Sequence, residues 1–334
     1  MSLFKKKITA ITHNGDFHSD DVFACAALLL WAEKTDNKIK IIRSREKEII
    51  EKADMVVDVG GIFDPEKNRF DHHQRNGAGK RENGIPYASF GLVWKKYGEE
   101  ICGDQEIADR IEKELVMPID ARDSGVTISV PNNDYNIYDY RIGNIISAFN
   151  LVPEENEKLL GEQFEKALQF AKEILLREMA WAGALINGER ETLKAIKEQN
   201  EPEILILDKN MEWHEAVSQN KNIKFVIYPQ KEEQEWCIQT GRNNLDNYID
   251  RVKFPENWRG LRDEELVKAS GIKEAVFCIN GGWFAVAKTK EGAIEIANKN
   301  RGKKQDPTEP QVIVPPDFEE EEKVGENTFT SDKK

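Results

Sequence analysis

Five histidines occur in the chain of 334 residues, and four of them fall in two short stretches: His13 and His18 in "HNGDFHSDD", His72 and His73 in "FDHHQ". Carboxylates share both stretches, Asp20 and Asp21 in the first and Asp71 in the second. Further aspartates punctuate the same half of the chain, Asp58 in "VVDVGG" and Asp120 and Asp123 in "PIDARDSG". Imidazole nitrogen mixed with hard carboxylate oxygen is ligand chemistry for Mn²⁺, Mg²⁺ or Zn²⁺ rather than for a thiolate-loving metal. A carboxylate shared by two such ions makes a two-metal centre, in which ions about 3.5–4 Å apart activate water and clamp both oxygens of a phosphoryl displacement. Taken singly, each residue has a plainer reading. A histidine at a strand end is commonly structural or merely exposed. Asp20 or Asp21 sits where a helix N-cap belongs. Asp58-Val59-Gly60-Gly61 reads as a turn. The clustering is what argues for a site.

What must position these residues is one edge of a sheet. "KITAIT" (7–12) is β-prone and ends at the first histidine loop; "DVFACAALLLWAEKT" reads as a buried helix. "IKIIRS" (39–44) reads as a second strand, "EKEIIEKA" as a helix, and "DMVVDVGG" (54–61) as a third strand. "YASFGLVWKKYG" and "EIADRIEKEL" carry helical spacing. Strands alternating with helices predict an α/β fold, a parallel sheet with helices on both faces. Ligands bind at the carboxyl ends of such strands, where "HNGDFHSDD" and "DVGG" fall. Residues 1–150 are therefore expected to form the metal-binding catalytic domain, and 151–200 one or two long charged helices as a connector. Residues 201–300 read as a smaller C-terminal α/β domain for substrate, with strands at "EILILD", "IKFVIYP", "EWCIQTG" and "AVFCINGGWFAVAK" and a helix at "TKEGAIEIANK". Residues 301–334 read as a disordered acidic tail.

Composition narrows the partners. The net charge is −13, so a global basic footprint for nucleic acid is absent and any polyanion site must be a local patch. Cys25, Cys102, Cys237 and Cys278 stand far apart without a CxxC pair, which argues against a zinc ribbon and against a disulfide framework. No apolar run approaches the ~20 residues of a membrane span, and the apolar stretch after "MSLFKKK" is too short for a signal peptide. The expectation is a cytoplasmic protein with no membrane partner.

In order along the chain, "HNGDFHSDD", "VVDVGG", "NRFDHHQ", "IPYASFGLVW", "PIDARDSG" and "WRGLRDEEL" resemble the signature segments of the Myg family. These are DHH-type metal-dependent phosphoesterases, related more distantly to RecJ-like single-strand nucleases and manganese pyrophosphatases. The resemblance runs from about residue 8 to 297. It implies a DHH-like domain with two divalent ions, Mn²⁺ first and Mg²⁺ or Zn²⁺ as alternatives. His13 and His18 would hold one ion. His18 stands where the wider superfamily usually has an aspartate. Asp20, His72 and Asp123 would hold the second ion, and Asp58 would bridge the two. Asp71 would orient the neighbouring histidine, and His73 would face the scissile phosphate. Asp120 is left between a supporting and a structural role. The implied activity is 3′–5′ exonuclease action on RNA or short oligonucleotides.

Basic residues surround this acidic set. Arg43 and Arg45 end the second strand, and Arg75, Lys80 and Arg81 follow His73 among glycines. Guanidinium forks suit phosphate oxygens; Arg43, Arg45 and above all Arg75 are read as substrate contacts, while Lys80 and Arg81 are equally readable as surface charge. In the second domain, Ile279 stands where many relatives carry a histidine, and Ala285 and Val286 replace a glycine pair. Gly281 and Gly282 fall earlier, either as backbone amides for a phosphate or as a tight hairpin. Tyr135, Tyr138, Tyr140 and Phe149 are candidates for base stacking or for packing between lobes. Two rivals to the exonuclease reading stay open: a hydrolase of small phosphoesters such as dinucleotides, and a metal-stabilised binding protein without turnover. A homodimer is left open. The tail's composition cannot bury much apolar area, so a chain ending at Asn300 is expected to keep its turnover. Loss of activity in that truncated chain, if still folded, would show that the tail contributes to the site.

Overall fold

The computed structural model describes residues 7–129, 137, 139–230, 234–244 and 249–302. Tyr135, Tyr138 and nearly all of the expected acidic tail lie outside the described residues. The chain divides into two compact units, Met1–Ile186 and Asn187–Lys334.

In the first unit the elements are β1 (Lys7–Thr12), α1 (Ser19–Lys34), β2 (Lys38–Arg43), α2 (Lys47–Lys52), β3 (Met55–Val57), β4 (Phe63–Asp64), β5 (Arg69–Phe70), α3 (Ser89–Cys102), α4 (Gln105–Ile111), α5 (Met117–Asp123), α6 (Ile142–Ser147) and the first part of α7 (Leu160–Glu198), whose last residues belong to the second unit. The sheet order is β2-β1-β3-β5-β4. β1 runs parallel to β2 and β3, and β3 parallel to β5, while β4 returns antiparallel. Alternate residues on a strand point to opposite faces. Ala10, Met55 and Val57 accordingly join the core under α1 and α3, whereas Ile11 and Val56 pack on the other face with Ile49 and Ile50 of α2. The expected two-faced α/β sheet is therefore present. Helix α1 is buried almost all round, as its unbroken apolar run requires, and Phe23 meets Phe90 of α3 at 5.5 Å.

This arrangement sets the functional edge. The carboxyl ends of β1, β3 and β5 all open the same way, and Val57 pairs with Phe70. Asp58 and Asp71 each follow their strand by one residue, so the register places them side by side. The Asp58 amide donates to the Phe70 carbonyl at 3.2 Å. The short hairpin of β4 and β5, unread in the sequence, is what delivers the "DHH" segment. Residues Gln105–Asp123 continue from α4 into α5 through a π-turn at Glu112–Val116.

Helix α7 is a single element. Phe164, Ala167, Leu168, Ala171 and Leu175 form an apolar stripe at helical spacing that seals the first core. In the second unit β6 (Ile204–Ile206), α8 (His214–Gln219), β7 (Phe225–Pro229), β8 (Trp236–Thr240), α9 (Asp263–Ser270), β9 (Ala275–Cys278), β10 (Phe284–Ala287) and α10 (Lys290–Asn298) build a sheet of order β6-β7-β8-β10-β9. Among the described residues only β6 and β7 are parallel neighbours in this sheet.

Asp250 is buried in this unit and accepts a hydrogen bond from Thr240 Oγ1 at 3.0 Å. Burial pushes its carboxyl up to about 6, against the Thr240 hydrogen bond and the charge of Arg242. A carboxyl whose folded pKa is raised contributes stability that is complete below its unfolded pKa and lost as pH rises through the folded one. Asp250→Asn keeps an acceptor without the charge. Its stability relative to the parent should rise between about pH 4 and 6 and level off above, by on the order of 2 kcal/mol. Denaturation midpoints across that range check this; a difference independent of pH would show that Asp250 is not held neutral.

Candidate metal centre

The loop after β1 is clamped from β2. Arg43 Nε donates to the His13 carbonyl at 3.3 Å, and a second guanidinium nitrogen donates to the Gly15 carbonyl. The Arg43 guanidinium also lies over the rings of Phe17 and Phe164, 5.2 and 4.5 Å from their centroids. Two of its five N–H groups serve the loop, so Arg43 braces it. His13 is buried. Its Nδ1 lies 3.2 Å from the Asn14 carbonyl, the contact that leaves Nε2 with a lone pair facing inward.

His18 caps α1, and consecutive helical positions diverge by about 100°, so Asp20 and Asp21 serve different partners. Asp21 turns toward the loop: one oxygen accepts the His18 amide at 2.9 Å and the other lies 3.4 Å from His13 Nε2. Asp20 turns toward α3, where its two oxygens accept the Ser89 and Phe90 amides at 3.0 and 2.7 Å. A carboxylate at a helix N-terminus is favoured by the helix dipole. Asp20 Oδ2 stays 3.9 Å from His72 Nε2.

Asp58 stands at the centre in a left-handed backbone conformation, φ 56°, which aspartate tolerates better than most side chains. Its Oδ2 lies 3.4 Å from His13 Nε2 and 3.5 Å from His18 Nε2. Its Oδ1 lies 3.3 Å from both His72 Nε2 and His73 Nδ1. Asp123, from the end of α5, closes the ring at 3.1 Å from His72 Nε2 and 3.3 Å from His18 Nδ1. Asp71 accepts both the backbone amide and the ring Nδ1 of His73 at 2.9 Å, while its other oxygen accepts the Gly61 amide. The two neighbouring rings lie 4.3 Å apart but differ in access: the His72 side chain is mostly buried, and the His73 side chain, held by Asp71, is 60% exposed.

Ligand atoms converge in three overlapping groups among the described residues: His13, His18, Asp21 and Asp58; Asp58, His72 and His73; Asp20, His72 and Asp123. Five buried atoms of these residues have no hydrogen-bond partner: His13 Nε2, His18 Nδ1, Asp21 Oδ2, Asp58 Oδ2 and His72 Nε2. Orphaned buried polar atoms are rare in proteins, and here they all face one another. Imidazole and carboxylate in this mixture fit divalent cations.

The electrostatics point the same way. Burial, reinforced by the charges of Asp58 and Asp123, raises the Asp20 carboxyl well above its ordinary value. Burial pushes Asp21 up to about 6, against His13 and His18. For Asp58 burial also acts upward, but the neighbouring His13, His72 and His18 imidazoles outweigh it and hold the carboxyl below its usual range. Burial acts to lower His72, yet Asp123 and Asp58 raise it to about 10. A surplus of buried carboxylate demands positive charge, and divalent ions meet that demand without protonating the ligands.

A cleft of about 340 Å³ opens over the centre, bordered by His13, His18, Arg45, Asp58, Asp71 and His73. Arg45 therefore lies at the mouth, with Nε 3.4 Å from the Asn14 carbonyl. Arg75 is exposed in the turn after His73. Arg81 is internal, donating to Asp120 Oδ2 at 2.7 Å and to Glu112, and lying over the Tyr87 ring. Gly281 and Gly282 belong to the second unit. Gly282 has φ 73° and its amide donates to the Ile279 carbonyl at 2.9 Å, so this is the tight hairpin between β9 and β10. Tyr140 is exposed, and Phe149 packs on the first core 6.1 Å from Phe170.

Residues 9–300 match the family model MYG1_exonuc, described as "Uncharacterised protein family (UPF0160)". The chain is 32% identical over 322 residues to "MYG1 protein" of Dictyostelium discoideum, covering 87% of this chain and 96% of that one. It is 29% identical to "MYG1 exonuclease" of Homo sapiens, covering 86% and 84%. Among solved structures, RecJ in complex with Mn²⁺ from Thermus thermophilus aligns with 87% of this chain and 52% of its own at 13% identity, with a TM-score of 0.26; the chain spans about half the length of that protein. The chain belongs to the MYG1 family.

Asp21 and the Asp120–Arg81 pair were not recognised from sequence as parts of the site's frame. Asp120 also accepts the Gly91 amide at 3.0 Å, and burial pushes its carboxyl up to about 7 against Arg81. A Cβ on Gly91 would collide with the Asp120 carboxylate and crowd Arg81. Gly91→Ala should cost roughly 2–4 kcal/mol of stability, as expected for overpacking and a broken buried ion pair. Chemical denaturation reads this, and parental stability in Gly91→Ala would contradict the packing described.

Proposed function

We propose that the chain is a metal-dependent phosphodiester hydrolase, an exonuclease on RNA or short oligonucleotides, with two divalent ions held on either side of Asp58. The observation that carries this reading is Asp58 itself: its two oxygens face different imidazole pairs, and the partnerless atoms around it are metal-ligand types. Relatives named MYG1 exonuclease support the reaction class. His13, His18 and Asp21 would hold one ion, and His72, Asp123 and Asp20 the other. Mn²⁺ is the first candidate, with Mg²⁺ or Zn²⁺ as alternatives. When bound, such ions supply Lewis acidity at phosphate oxygens and a nucleophilic water near neutral pH.

The chain's own groups do the rest. Asp71 fixes His73 through Nδ1, which leaves His73 Nε2 to meet a phosphate oxygen in the cleft and stabilise developing charge. Arg45 at the mouth and Arg75 in the exposed turn would contact flanking phosphates. The net charge of −13 and the small cleft favour a short substrate over a long polyanion. A dinucleotide hydrolase is therefore the second reading, and a shallow salt dependence of binding would select it. A cytoplasmic location fits four cysteines that form no disulfide.

Asp58 and His73 should fail differently. Asp58→Asn removes the charge shared by both ions, so metal content and activity should fall together even at high Mn²⁺. His73→Ala should keep its metal and lose about 10²–10³ in kcat, the cost of one well-aimed donor. Metal analysis, a melting curve and a rate for each variant decide the matter. Emptying of the metal centre in His73→Ala with full occupancy in Asp58→Asn would reverse the assigned roles.

A further inference from the structure

In the first unit, beside the metal centre, a second cavity of about 440 Å³ is walled by Leu115, Pro118, Ile119, Ile128 and Ile142. Two arginines enter it, Arg122 from the last turn of α5 and Arg141 from the residue that precedes α6. Both converge on a single neutral acceptor: Ser129 Oγ accepts from Arg122 at 2.6 Å and from Arg141 at 3.0 Å. The Nε of each guanidinium is buried with no hydrogen-bond partner. Among the described residues neither arginine has an ion-pair partner. Glu114, also on the wall, is paired with Arg110 at 2.8 Å, and Asp139 is exposed.

Two like charges drawn to one hydroxyl, each with an unused buried N–H, are costly by themselves. An anion with several oxygens resolves both problems, and phosphate accepts from guanidinium forks in this way. Leu115, Pro118, Ile119, Ile128 and Ile142 give the cavity an apolar side beside the polar Ser19, Glu114, Asp139 and Asn144, as in pockets that hold a flat organic group by burial and orient it with polar contacts. The cavity also adjoins the metal centre through the chain: Asp123 follows Arg122, and Ser19, which lines the cavity, follows His18.

We infer that this cavity is a nucleotide subsite, in which Arg122 and Arg141 take a phosphate neighbouring the scissile one and the apolar wall takes its base. The inference rests on the phosphodiesterase reading above and adds where the next nucleotide of the substrate lies. It gives Arg122 and Arg141 a binding role that neither motif spacing nor the metal centre assigns.

The test is equilibrium binding of a fluorescent nucleoside 5′-monophosphate to the full chain in metal-free buffer with chelator, with inorganic phosphate and the unphosphorylated nucleoside as competitors. The nucleotide should bind more tightly than either part. Arg141→Gln should weaken it by about tenfold or more, the usual scale for losing a charge-assisted fork. Ser129→Asp gives both guanidiniums a carboxylate, so it should fold at least as well as the parent and lose nucleotide binding to a similar degree; it keeps the test sound if Arg141→Gln does not fold. Unchanged affinity in the folded variants, or inorganic phosphate competing as well as the nucleotide, overturns the inference. Turnover with Mn²⁺ is read separately. Hydrolysis without nucleotide binding sinks the subsite alone, and nucleotide binding without hydrolysis sinks the functional reading alone.

Discussion

A buried carboxylate surrounded by four imidazoles is the constraint on which the first unit depends. Asp58 is almost wholly removed from water, and Asp20, Asp21 and Asp120 are buried around it. Burying unpaired charge is expensive. The fold compensates some of this directly: amides of α3 serve Asp20, the His18 amide serves Asp21, and Arg81 serves Asp120. Around Asp58 the compensation stops at inward-facing nitrogens and oxygens that lack protein partners. That residual demand for positive charge is what suits this sheet edge to divalent cations rather than to a hydrogen-bonded core.

Parallel strands are the means of concentrating the charge. Each of β1, β3 and β5 ends in a loop on one side, and each loop contributes a ligand type within a few residues of its strand. The helices finish the frame. α1 presents Asp20 and Asp21 in two directions, α3 offers its first amides, and α5 brings Asp123 across to His72 and His18. Asp58 in a left-handed conformation is the one strained joint among these ligands, and strain held in place at such a position is typical of sites built for function.

Much of this was legible in the sequence, for identifiable reasons. β1 to β3 with α1 and α2 show plain periodicity and lengths, and the histidine and aspartate types announce their chemistry. Four things were not legible. The strands β4 and β5 have two residues each, too short for any alternation to register. Asp21 looked like a helix cap because its second partner, His13, is fixed only once Arg43 clamps the loop. Arg43 itself looked free because the two phenylalanine rings that hold it lie far apart in the chain, at Phe17 and Phe164. The role of Asp120 became clear only from the approach of α3 and α5, where Gly91 leaves room for its carboxylate. Local propensity reads elements; tertiary approach decides which charge meets which.

The chemistry of the first unit turns on whether Asp58 lies between two cations. Crystals grown with Mn²⁺, measured on both sides of the manganese absorption edge, test it without relying on activity. Two anomalous peaks per chain are expected, about 3.5–4 Å apart as in other two-metal sites, with one Asp58 oxygen directed at each. A single peak, or a pair that leaves Asp58 uncoordinated, would contradict it.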